Sequence, residues 1–168
     1  GGDWDLAINR MNALRLGNWN LKIEGSPGEA AVECQPIINQ VVDASIPLPV
    51  KVKDYFGCPR EMEFPALKCI YRTNFTLETT DTAILLVMEP GSIEGRWYME
   101  VNGYRIVPEL FETREIYLPN NLAADISAYL KVGTNEIKVY VETSKVHDGL
   151  VNPIYICGDF SVFKGSDN

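Results

Sequence analysis

One histidine and four cysteines are all that this chain offers of the side chains that usually hold transition metals. None of the cysteines stands in a Cys-x-x-Cys pair, so a zinc site lacks its ligand set. There is no Gly-x-Ser-x-Gly elbow for a nucleophilic serine. His147 is the sole imidazole, and any Ser-His mechanism must use it. Ser144 and Asp148 flank it, but chain neighbours seldom aim at one another as a triad requires. We therefore read His147 as a loop residue that hydrogen-bonds a ligand or the closing strand. No apolar run approaches the roughly 20 residues of a spanning helix, so no membrane segment is expected. Basic residues are few as well. The 15 Lys and Arg against 23 Asp and Glu leave a formal charge of −8, and no basic run occurs. A phosphate-backbone partner draws on clustered Lys and Arg, which excludes nucleic acid as the expected ligand.

Helical periodicity is scarce. The stretch "NRMNALRL" (9–16) has mixed spacing and is a weak helix candidate, while "DISAYL" (125–130) offers Asp125 as an N-cap for one or two turns. What is plentiful is alternation. Trp19, Leu21 and Ile23 share one face of a strand. In "CIYRTNFTLE" Tyr71, Thr73, Phe75 and Leu77 do the same, and in "EIKVYVET" Ile137, Val139 and Val141 oppose Glu136, Lys138 and Tyr140. "TAILLVME" is a continuous apolar run, as expected of a central strand covered on both faces. "PIYICGDFSVF" aligns Ile154, Ile156, Phe160 and Val162. In "VNGYRI" the Asn102-Gly103 pair predicts a tight hairpin after Trp97, Met99 and Val101. Short strands with such punctuation predict an all-β sandwich or barrel. Six of the ten prolines fall in residues 26–66, which reads as a long irregular excursion.

If consecutive strands run antiparallel, loops collect at two ends. One end takes the Thr79–Asp81 turn, the Asn102-Gly103 turn and the 119–135 connection. The other takes 50–68, 90–96, 107–114 and 144–153, bringing Tyr55, Phe56, Trp97, Phe111, His147, Asp148 and Asn152 to one rim. Binding residues concentrate on loops held by a rigid scaffold, so this second end is the expected ligand end. A sugar needs a flat apolar ring for its C–H face and polar groups for its hydroxyls. Tyr55, Trp97 and Tyr98, with Arg96, Asp148, Asn152 and His147, are the candidate carbohydrate-binding residues. Trp97 shares parity with Met99 and Val101, which equally fits a core role, whereas Tyr98 has outward parity. Trp4 and Trp19 fit core or lid packing.

The segments "EVNGYRI" and "DISAYLKVGTNEIKVYV" together resemble the galactose-binding-like jelly-roll domain of family 2 glycoside hydrolases. "HDGLVNPIYICGDFSVF" is similar to the closing strand of such modules in large bacterial glycoside hydrolases, including rhamnosidase-like ones. The resemblance covers roughly residues 67–163, with "NALRLGNWNL" similar to the lead-in of those proteins. It implies one jelly-roll sandwich over residues 1–168, with 1–66 as lead-in strand and excursion. It also implies a non-catalytic accessory module whose partners are a glycan and the catalytic domain of a longer polypeptide. Asn102, Gly103, Asp125, Gly133 and Asn135 are scaffold residues on this reading, since their types suit turns and caps. The catalytic carboxylate pair that glycoside hydrolysis needs sits elsewhere in such enzymes. Of the acids here, Glu109 and Glu112 on the loops of the second end are the ones to weigh for it, and a solvated role suits both. No cofactor is implied beyond the structural calcium ion that such modules often carry, and no Asp-x-Asp-x-Asp-Gly loop marks a site for it. Cys69 and Cys157 fall in strand patterns as core filler. Cys34 and Cys58 either pair or stay free. The opening Gly-Gly-Asp has neither initiator Met nor signal peptide, so we expect a piece of a longer protein, and its compartment stays open.

Overall fold

The computed structural model describes residues 12–34, 63–80, 82–116 and 118–158. Tyr55, Phe56, Trp4, Cys58, Phe160 and Val162 lie outside them. Thirteen strands form among the described residues: β1 Asn12–Arg15, β2 Trp19–Ile23, β3 Ala30–Val32, β4 Glu63–Leu77, β5 Ile84–Met88, β6 Ile93–Glu94, β7 Arg96–Val101, β8 Tyr104–Ile106, β9 Glu112–Ile116, β10 Leu118–Asp125, β11 Gly133–Lys145, β12 Gly149–Leu150 and β13 Ile154–Gly158. They make a five-stranded sheet, β1-β13-β5-β10-β9, and a six-stranded sheet, β3-β2-β4-β11-β7-β8, with a β6–β12 ribbon beside them. All pairings are antiparallel. The all-β sandwich is the fold that the alternation predicts.

The period-2 pattern explains the core. Trp19, Leu21, Tyr71, Phe75, Leu77, Met99, Val101, Ile137 and Val139 face inward from the six-stranded sheet. Leu14, Ile84, Leu86, Met88, Ile154 and Ile156 belong to the same buried cluster from the other sheet. Each fully buried aliphatic side chain contributes about 1.5–3 kcal/mol, which offsets the entropy of ordering the strands. Strand β5 is buried along its whole length, because Leu85 and Val87 join Ile116, Ala123 and Cys157 in a second cluster on the far side. Cys69 and Cys157 are both buried, as core filler should be. Cys34 is a free thiol.

Four local readings are corrected. Asn12–Arg15, inside the weak helix candidate, is a strand that pairs with β13, because Leu14 alone turns inward while its neighbours stay exposed. The 26–66 excursion contains β3, and β4 already begins at Glu63. Pro65 is tolerated in β4 because the ladder to β11 shifts register between Thr143 and Lys145, where a missing N–H costs little. The 119–135 connection begins as β10. Asn120 holds a positive φ of 65° beside a bulge in the β9–β10 ladder, so strand residues look like turn residues there. Finally, the "DISAYL" helix is a 3₁₀ turn, Ser127–Tyr129. Its N-cap position falls on Ile126, without a side-chain cap, and not on Asp125. Asp125 stands one residue earlier, its Oδ1 accepting the Ser127 N–H at 2.9 Å.

Candidate functional site

Among the described residues, turns and loops do gather at two ends, while residues 50–62 and Asp81 of the expected grouping lie outside them. At the tight-turn end, Asn102 and Gly103 have φ of 50° and 86°, as a two-residue hairpin requires. The Asn102 side chain donates to the Tyr129 carbonyl and to Asn135 Oδ1 and accepts the Glu136 N–H. Asn135 is fully buried and donates to the carbonyls of Lys131 and Gly133. Both residues are scaffold.

At the other end, β6 pairs with β12, and the N–H groups of Val151 and Asn152 donate to the Ser92 carbonyl. Asp148 is buried, and its Oδ2 accepts the N–H groups of Ser144 and Lys145 at 2.9 and 3.0 Å. Through that one oxygen the carboxylate closes its own turn. Gly95, at φ +102°, lies so close to this turn that a Cβ there would sit 2.7 Å from the Glu142 carbonyl oxygen. Trp97 is half-buried, packs against the core cluster from its inward parity, and meets Phe111 edge-on at 5.6 Å. His147 and Asn152 are half-buried on the same turn system. Glu109 and Glu112 are exposed, and Glu112 lies 3.6 Å from Arg114.

Arg96 and Tyr98 are displayed elsewhere. Strand parity turns them to the outer face of the six-stranded sheet, away from Trp97, so the candidate set divides between two surfaces. There they line a groove of about 310 Å³ with Glu24, Lys68, Ile70, Tyr140 and Glu142. The register builds it row by row. Lys68, Glu142 and Arg96 are cross-strand neighbours, and the Glu24 N–H bonds the Lys68 carbonyl. One step further along the strands, Ile70, Tyr140 and Tyr98 form an apolar row.

Tyr98 does not offer the free ring face expected of it. Tyr140 stacks on one side at 4.6 Å and 12° between planes, and the Arg105 guanidinium lies 4.0 Å over the ring. The Tyr140 hydroxyl donates to Glu100 Oε1 at 2.8 Å. Burial, followed by that hydrogen bond, pushes its pKa up to about 12, so it stays a donor. Tyr140, Ile70, Lys68, Glu24 and Glu142 were missed as site residues. The signal for Tyr140 was an aromatic at outward parity between charged residues. Among the described residues no group of three or more His, Cys, Asp or Glu converges as a metal site, and no helix is long and apolar enough to cross a membrane.

No protein-family model matches the chain, and no curated protein matches its sequence. Solved structures do resemble it. A β-glucuronidase of Ruminococcus gnavus is similar at a TM-score of 0.53 and 16% identity, over 88% of this chain and 28% of that one. For the β-D-mannosidase of Dictyoglomus thermophilum the TM-score is 0.52 and the identity 17%, over 77% of this chain and 15% of that one. An exo-chitosanase of Amycolatopsis orientalis gives 0.54 and 12%, over 86% and 20% of the two chains. The chain thus spans less than a third of each of these proteins, and identities this low speak to fold alone. It has the β-sandwich fold of a segment found within these glycoside hydrolases.

Proposed function

We propose that this chain is a non-catalytic accessory module of a larger glycoside hydrolase and that it binds glycan in the groove on the outer face of its six-stranded sheet. The module comprises one sandwich over residues 1–168, and catalysis belongs to another part of the parent chain. One observation carries the reading: an apolar row, Ile70–Tyr140–Tyr98, runs beside a charged row that includes Lys68, Glu142 and Arg96 in a single groove. Sugars need that combination of apolar contact and hydroxyl partners. The charged row lies next to the expected ligand end, since the Glu142 backbone adjoins Gly95 and the Asp148 turn.

Calorimetry of the chain against soluble plant, mucin and microbial glycans tests this. Replacing Tyr140 or Arg96 by Ala is expected to weaken binding tenfold or more, about 1.4 kcal/mol. His147→Ala and Asn152→Ala should leave it within twofold. The reverse pattern would move the site to the rim loops.

A second reading, a packing module without its own ligand, is favoured by Tyr104, Leu110 and Val132, which are 58%, 52% and 62% exposed. Tyr104 stacks on Tyr129 at 5.1 Å at the tight-turn end. That reading expects no glycan binding by the chain, and a lower melting temperature of the parent enzyme on Tyr104→Ser.

A further inference from the structure

The rows of the groove run across the strands. From Glu24 on the β2 side through Lys68 and Glu142 to Arg96 on β7, the charged row crosses three inter-strand gaps, about 14 Å at the usual strand spacing. A single pyranose covers roughly one such gap. The row reads acid, base, acid, base, so its four groups sum to no formal charge. Carboxylates only accept hydrogen bonds, and ammonium and guanidinium groups only donate them. A row that alternates acceptor and donor suits hydroxyls, each of which does both. It does not suit a chain of carboxylates, which would meet Glu24 and Glu142 at every second place. The protein's net charge of −8 adds a repulsive field against any polyanion. The apolar row beside it spans Ile70, Tyr140 and Tyr98, again several strands wide. Because Tyr98 is enclosed between Tyr140 and Arg105, it offers no isolated ring face on which one sugar could be clamped. Contact is spread along the groove.

We infer that the groove takes the interior of a neutral, extended oligosaccharide lying across the strands, about three sugar units at a time, and discriminates against single sugars and uronate chains. This rests on the groove reading above.

The test is calorimetry of the chain with β-1,4-linked gluco- and manno-oligosaccharides from monosaccharide to hexasaccharide, and with oligogalacturonates of matched length at low salt. Affinity is expected to rise at least tenfold from the monosaccharide to the trisaccharide or tetrasaccharide and then level off. Matched oligogalacturonates should bind at least tenfold more weakly, and Glu24→Gln with Glu142→Gln should narrow that gap. Tyr140→Ala should abolish neutral-chain binding. Tyr140→Phe, which keeps the stack, should preserve it and guards against a folding artefact. Equal affinity for monosaccharide and hexasaccharide, or oligogalacturonate binding as tight as the neutral chains, overturns the inference while the groove reading stands if Tyr140→Ala still abolishes binding. Absence of binding by every glycan, with the fold intact by circular dichroism, overturns both.

Discussion

Asn135 has no exposed surface, yet it carries both halves of a primary amide, and the fold uses each of them. Its Oδ1 accepts from the Asn102 amide and the Lys131 N–H, and its Nδ2 reaches two carbonyls. Asn135→Ala leaves several buried polar groups without partners, each worth about 1–3 kcal/mol. We expect a loss of about 3 kcal/mol, read from the urea midpoint at unchanged slope. Asn135→Asp should recover little, because a carboxylate cannot donate to the Lys131 and Gly133 carbonyls. Gly95 makes a different kind of demand. Its positive φ and the nearby Glu142 carbonyl leave no room for a Cβ, so Gly95→Ala should cost about 2 kcal/mol or more. Gly103→Ala, where a Cβ meets nothing within 4 Å, tests the conformational cost alone and should be milder.

Strands β7 and β11 show how one element serves two surfaces. Val139 and Met99 pair on the inner face, and the next pair, Tyr140 and Tyr98, stacks on the outer one. A stacked aromatic pair contributes about 0.5–1.5 kcal/mol beyond area burial. A double-mutant cycle over Tyr98→Ala and Tyr140→Ala should therefore return a coupling of about 1 kcal/mol in stability. A coupling near zero would mean that the rings pack only against the strands beneath them. At the same scale, the Arg72–Glu29 pair at 2.6 Å links β4 to the turn before β3, but both side chains are about one-third exposed. Its removal should shift stability by less than about 1 kcal/mol, and less again at high salt.

For the molecule as a whole, burial shapes the response to alkali. The thiols of Cys69 and Cys157 are pushed from 9.0 up to about 11, in both cases by burial first, and Tyr140 from 10.0 up to about 12. These groups ionise more readily in the unfolded chain than in the folded one. The stability they contribute is whole below about pH 9 and is lost as pH climbs through the folded values. Urea midpoints should hold steady up to pH 9 and then fall toward pH 11–12. Replacing Cys69 and Cys157 together by Ala should flatten the first part of that fall. An unchanged slope would show that their burial is relaxed in solution.

Periodicity alone determined the sandwich, because a half-buried strand must alternate and β2, β4, β7 and β11 do so with few exceptions. The same rule gave Trp97 its inward direction and Tyr98 its outward one. Strands β1, β3, β9 and β10 were not legible. They are short or broken by a bulge at Asn120, and local chemistry cannot separate a bulged strand from a turn. Nor could spacing reveal that Asp148 ties one carboxylate oxygen to two backbone N–H groups, or that Arg105 lies over the ring of Tyr98. The groove itself joins Glu24, Ile70, Arg96 and Tyr140, residues that are distant along the chain. Only cross-strand register makes them neighbours, and register is a property of paired strands that no single stretch of sequence contains.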